Sequence, residues 1–300
     1  MIIHPNTNWI AILTTLRGSI ARRIAPRCIL ITALASLIVW VESLYPATFQ
    51  GSSAMPSTLL GLSLSIFMSF RNNACYARWW EGRQMWGKII IEIRSFSREV
   101  STLTDNHLRI ELVHALCGFA HSLNARLRDR DEFEASRPWL PDTFRGDDCH
   151  NVSDAILMHV GRCCSDLADR AQISEWRYIT LEQRLVGLSE AQANCERIKN
   201  TPLPFPYTLL LHRTTLIFCL LLPFALAQPL GWLAPLFTSI VSYTFFGLDT
   251  IGDELEDPFG FDENDLPIDA MVRSIERDIF GASAQASLPP VLEPVNGVLT

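Results

Sequence analysis

Apolar positions are spread unevenly along this chain. They collect in four runs, 28–44, 57–70, 209–226 and 232–248, whereas 95–199 mixes charged and apolar residues at helical spacing, as a water-soluble helical protein does. A helix needs about 17–25 mostly apolar residues to cross about 30 Å of hydrocarbon. "CILITALASLIVWVESL", the part of "LLLHRTTLIFCLLLPFALAQ" after Arg213, and "GWLAPLFTSIVSYTFFGL" meet that length. "STLLGLSLSIFMSF" is too short alone, but its helical pattern runs on to about Val100 without a proline. Over 57–100 such a helix is about 65 Å long at 1.5 Å per residue, twice the bilayer. It must therefore leave the membrane, and the expected count is four spans.

The flanking polar residues set the orientation. Arg17, Arg22, Arg23 and Arg27 precede the first span and Arg71, Arg78 and Arg83 follow the second, while "YPATFQGSSAMPS" and "AQPLG" between spans hold no Lys or Arg. The positive-inside rule then places both termini of a multi-pass protein in the cytoplasm. Cleavage of the first run as a signal is the lesser alternative, because about 27 residues precede it and it is longer than the usual apolar stretch of about 7–15.

The remaining elements follow from periodicity and breakers. Residues 1–26 pattern as a cytosolic amphipathic lead-in, and 27–70 hold the first two spans. A cytosolic helical domain covers 71–208, with amphipathic helices at 105–128, 151–171 and 182–199 and "EASRPWLPDTFRGDD" as a loop. "NTPLPFPY", with three prolines in five residues, ends that domain. The last two spans occupy 209–250, an acidic segment and a C-terminal helix 251–280, and a small-residue tail expected to be disordered 281–300. The fold class is all-α.

Composition narrows the chemistry. A net charge of −7, with no large basic cluster, argues against a nucleic-acid binder. The eight cysteines form no CxxC pair and several fall in apolar helical stretches, so they are expected to be reduced, buried thiols. His114, Cys117 and His121 can share one helix face as a minor metal candidate, but no fourth ligand is near. Asp249, Asp253 and Asp257 recur at i, i+4 and i+8, which raises a remote enzymatic alternative in which Mg²⁺ holds a diphosphate. A second acidic cluster facing the first is missing, and the chain is expected not to be an enzyme.

Three longer motifs change the picture. "RNNACYARWWEGRQMWG" (71–87), "ERIKNTPLPFPYTLLLHRT" (196–214) and "GLDTIGDELEDPFGFDENDLPID" (247–269), in this order around four spans, resemble the bestrophin family of ion channels in its prokaryotic branch. The resemblance covers roughly residues 5–280. It implies a homopentamer around one central pore, four transmembrane helices per subunit continuing into a cytosolic helical domain, with lipid and permeating ions as the other partners. Leu62, Ile66 and Phe70, at i, i+4 and i+8 of the second span, match the family's hydrophobic neck. From spacing alone, core or lipid-facing roles fit them as well.

Asn72 and Asn73 would then offer polar groups where the pore widens. Arg78, Glu81 and Arg83 would pair with other helices, and Trp79, Trp80 and Trp86 would pack rather than line the pore. A second, cytosolic constriction is expected at Ile179, for which a core position is the alternative. Glu254, Asp257, Asp262 and Asp265 fall where animal members bind calcium. This chain departs from that pattern, with Glu254 and Asp257 in place of amides and Glu263 and Asn264 interrupting the aspartate run. A structural or capping role for Asp262 and Asp265 is favoured, with a divalent cation as the alternative and no cofactor required. Aliphatic Ile66 and the acidic balance lead to the expectation of a monovalent cation (Na⁺/K⁺) channel, with an anion (chloride) channel of the same fold as the alternative and a non-conducting regulator a remote one.

Overall fold

The computed structural model describes residues 1–2, 19–45, 55–146, 149–282, 288–295 and 297–300. Most of the expected lead-in (3–18) and the loop 46–54 lie outside them. Among the described residues there are nine α-helices, two short 3₁₀ turns and no strand beyond isolated bridges. The chain divides into two compact units, one formed by His4–Trp79 and Pro202–Asp257, the other by Met1–Ile3, Trp80–Thr201 and Pro258–Thr300.

The first unit is apolar. Helix α1 (Ala21–Leu44) begins before the expected boundary at 27, carrying Arg22, Arg23 and Pro26 in its opening turns. Helix α2 (Met55–Val100) is one uninterrupted element of 46 residues whose first part belongs here. Helices α7 (Phe205–Leu230) and α8 (Ala234–Glu256) are separated only by a 3₁₀ turn at Gly231–Leu233, where Gly231 takes φ +51°. That left-handed value is one glycine adopts without a Cβ clash. By length and composition Ala21–Leu44 and Phe205–Glu256 are apolar enough to cross a membrane.

Ile24, Cys28 and Ile31 of α1 pack with Leu64 and Met68 of α2 and with Phe218, Cys219, Phe245 and Phe246 of α7 and α8. The Phe218 and Phe245 rings meet edge to face at 4.8 Å between centroids. Gly61 lets α2 approach this aromatic pair, since a Cβ there would stand 3.0 Å from the Phe218 ring.

The second unit is built from the rest of α2 with α3 (Asn106–Leu127), the short α4 (Glu132–Ser136), α5 (Val152–Asp169), α6 (Glu175–Asn200) and α9 (Ile268–Ala282). Side-chain caps explain its helix starts: Asp105 accepts from the His107 and Leu108 N–H groups, Asn151 from Asp154, and Ser174 from Arg177. The Ser174 cap starts α6 seven residues before the expected 182. "EASRPW" also forms α4 and a 3₁₀ turn instead of a loop, because Asp131 caps Glu134. Leu116, Phe119, Ile156, Leu181, Leu188, Phe96 and Ile275 fill the core.

Six of the eight cysteines are buried and all are free; burial pushes Cys164 and Cys195 up to about 12, so these thiols are inert. Cys149 departs from the expectation and is exposed. His114 and His121 pack against the Trp139 ring, at 5.6 and 5.4 Å, while His121 bonds Glu276 at 2.7 Å. Aromatic packing thus takes these histidines away from the metal candidate.

The tail expected to be disordered carries backbone pairing at its end. Val298 bridges Ile2 and Val295, the Leu299 N–H donates to Met1 O, and Thr300 O accepts from Ala270 in the first turn of α9. An orphan N–H group at a helix start and the extended backbone of 298–299 each gain a partner there.

Candidate pore helix and its anchoring cluster

One half-turn of α2 separates two different apolar stripes. Leu64 and Met68 are 2% and 0% exposed in the core, whereas Leu62, Ile66 and Phe70 are 61%, 48% and 61% exposed. The three share one helix face over about 12 Å. No charged side chain lies between Met55 and Phe70, so the exposed stripe is dry chemistry throughout.

Immediately below Phe70 the chemistry inverts. Arg71 is fully buried, and its guanidinium donates to the Asp249 carbonyl (3.2 Å) and carboxylate (3.1 Å), pairs with Asp253, and lies 3.6 Å from Glu256. His212 of α7 donates through Nδ1 to the second Asp249 oxygen at 2.6 Å. Glu256 in turn accepts from the Leu203 N–H at 3.1 Å, Arg78 donates to the Glu256 carbonyl at 3.1 Å, and the Tyr207 hydroxyl donates to Phe67 O at 3.0 Å. One charged layer therefore ties α2, α7 and α8 together at a single level.

Gly252 makes that layer possible. A Cβ at this position would stand 2.7 Å from Asn72 Oδ1 and 3.0 Å from the Arg71 guanidinium. The layer also corrects the remote enzymatic reading, because Asp249 and Asp253 are occupied by Arg71 and His212 and are not presented as metal ligands. Asn72, expected to face a widening pore, donates to Leu248 O at 2.9 Å, while Asn73 is exposed.

Of the opening aromatic motif, Trp86 is fully buried and Trp79 stacks on Tyr76, but Trp80 is 47% exposed. Glu81 pairs with Arg197 at 2.5 Å, as expected of an interhelical partner, and Arg83 is exposed. Ile179 is 48% exposed on α6, one turn after Trp176, so the core alternative for it fails within a single chain.

The four acidic candidates are engaged elsewhere. Glu254 lies 3.6 Å from Arg23, Asp257 follows the end of α8, and Asp265 accepts the Asp262 N–H at 2.7 Å while donating its own N–H to Asp262 O. Among the described residues no group of three or more His, Cys, Asp or Glu is gathered to hold a metal. The bonds between Asp262 and Asp265 are of the capping kind expected of that pair.

The sequence marks Arg71 as a flanking basic residue and places it and His212 in two separate motifs, without pairing either with Asp249. The available signal was depth: ionisable residues at the ends of three apolar runs are costly unless they meet one another.

Apolar helices long enough to cross a membrane and locked by a buried charged layer, in a chain with a second, side-chain-capped helical unit, define an α-helical protein of membrane type. Residues 1–280 match the family described as Bacterial/Fungal Bestrophin protein. The chain belongs to that family. It is 38% identical to the voltage-dependent anion channel-forming protein mll4386 of Mesorhizobium japonicum, over 98% of this chain and 95% of that one. It is 36% identical to the voltage-dependent anion channel-forming protein YneE of Escherichia coli, over 98% of both. A variant of a bacterial bestrophin homolog from Klebsiella pneumoniae, solved by crystallography, superposes with a TM-score of 0.84 at 32% identity, covering 88% of this chain and all of that one.

Proposed function

We propose that five copies of this chain form an ion channel in the bacterial inner membrane, with Leu62, Ile66 and Phe70 lining the neck of one central pore. The observation that carries this reading is the exposed apolar stripe on α2 opposite a fully buried one. α1, the first part of α2, α7 and α8 serve as the four spans, both termini face the cytoplasm, and the second unit is the cytosolic domain. Ile179 lines a second constriction there. Three apolar rings, each of five side chains, can pass or refuse ions by wetting and dewetting, and offer no strong binding site. The charged layer below Phe70 fixes the rotation of α2 and hence the face it presents.

Charge selectivity follows the relatives' names, which favour the anion alternative over the cation expected from sequence. The cation reading keeps second place on the strength of aliphatic Ile66 and the net charge of −7. The test is the reversal potential of purified protein in planar bilayers under a KCl gradient. A reversal near the chloride equilibrium potential is expected, and one near the potassium potential would reinstate the cation reading. Mass measurement of the intact assembly checks the stoichiometry.

A further inference from the structure

The acidic loop between α8 and α9 is closed on itself. The Leu266 N–H donates to Pro258 O at 2.9 Å, and Asp262 and Asp265 form the inner turn. Carbonyl oxygens buried by such a loop need hydrogen-bond donors. Phe259 O and Leu266 O both accept from the Arg128 guanidinium, through Nε and Nη2, each at 3.3 Å. Its remaining nitrogen lies 2.6 Å from the Asp269 carboxylate, whose other oxygen accepts from Asn124 Nδ2 at 2.7 Å. The Arg128 side chain is 1% exposed.

The end of α3 explains how Arg128 reaches this position. The Arg130 N–H donates to Ala125 O at 2.8 Å and the Asp129 N–H to Arg126 O, with Asp129 left-handed at φ +53°. This is the Schellman arrangement, and the left-handed residue turns the chain so that Arg128 and Arg130 flank the same ring. Both guanidinium carbons stand 4.7 Å from the centroid of Phe261, in the middle of the acidic loop. A cation–π contact of this kind is made more often by a guanidinium than by an ammonium.

We infer that Arg128 is the resident cation of the acidic loop: its guanidinium fills, with two carbonyls and one carboxylate, the role a divalent ion would otherwise have, so the loop keeps its shape without metal. Carbonyl and carboxylate oxygens are the hard ligands Ca²⁺ uses. Here they are already met by a charge tethered to α3, which dilution or chelation does not remove. The turn that Asp262 and Asp265 close is then held from a residue outside the motif.

The experiment compares limited proteolysis within 258–267 and thermal unfolding of the full-length assembly, in chelator and in about 10 mM CaCl₂, a concentration that fills even weak Ca²⁺ sites. The wild-type chain is expected to give the same cleavage rate and the same Tm in both. Arg128→Gln is expected to be cleaved in the loop at least about tenfold faster, a change that corresponds to about 1.4 kcal/mol of local opening. Calcium-dependent protection of the wild-type loop, or an upward shift of its Tm in calcium, overturns the inference. So does a loop in Arg128→Gln that stays as protected as in the wild type. Should Arg128→Gln not assemble, Phe261→Ala removes the half-exposed ring while keeping the buried charge, and an unchanged cleavage rate there would equally contradict the stacking contact.

Discussion

Two buried arginines, one in each unit, meet opposite demands with different partners. Arg71 sits in the apolar unit among Asp249, Asp253 and Glu256, all on α8, a helix that its own helix must hold. Arg128 sits in the polar unit with a single carboxylate, two carbonyls and an aromatic face. A buried charge requires compensation in either place. Carboxylates on a neighbouring helix make that compensation a clamp between rigid elements, whereas carbonyls of a loop make it a mould for an irregular segment. The difference teaches where rigidity is needed: beside the exposed stripe of α2 in one unit, and around the acidic loop in the other.

The sharpest way to break the comparison is to remove each arginine. Arg71→Met leaves the buried Asp249 carboxylate, and the partly exposed Asp253 and Glu256, without their cation and is expected to cost about 3–5 kcal/mol. Arg128→Met should cost less, about 1–3 kcal/mol, because one carboxylate and two carbonyls lose their donor and Asp269 keeps Asn124. Unfolding midpoints of the detergent-solubilised assembly check the order, and a larger loss at Arg128 would reverse it. Gly252→Ala comes next: its Cβ pushes Asn72 and Arg71 out of the charged layer at a cost of about 1–3 kcal/mol, read in the same assay, while a neutral result would mean the layer tolerates expansion.

A pH titration sharpens the second half of the comparison. Burial alone would raise the Asp269 carboxyl, but the Asn124 amide and the Arg128 guanidinium outweigh it and hold it below the usual aspartate range. Its contribution is therefore fully present above the ordinary aspartate value of about 3.9 and is lost as pH falls through the lower folded value. Proteolysis within 258–267 should rise in that acidic window for the wild-type chain, and Asp269→Asn should flatten the response. The smallest effect belongs to Asp105→Ala, about 1 kcal/mol from a lost cap on α3, visible as faster amide exchange at 106–109.

These regions also differ in how far the sequence discloses them. The long α2 was legible because a helical pattern without proline has one simple outcome, and "NTPLPFPY" broke α6 from α7 as three prolines must. Caps were harder: Ser174 moved the start of α6 seven residues ahead of where hydrophobic periodicity begins, since a hydroxyl bond to one N–H outweighs a weak polar pattern. The stripe Leu62–Ile66–Phe70 could be picked out by spacing, but its exposure could not, because Leu64 and Met68 are equally apolar.

The two arginine sites were least visible. Their partners lie 178 and 141 residues away for Arg71–Asp249 and Arg128–Asp269, measured along a chain whose motifs are all local. The acidic segment drew attention by its own composition, while the residue that decides its chemistry sits at the end of a helix that reads as ordinary.

The central claim is that the exposed stripe of α2 lines a pore, and one comparison of single-channel conductance tests it most directly. Ile66 on α2 and Ile240 on α8 are both about half exposed, at 48% and 54%. Ile66→Ser is predicted to change conductance strongly, because a hydroxyl ring alters wetting of the neck, while Ile240→Ser leaves it as in the wild type. Equal conductance in all three proteins would contradict the account.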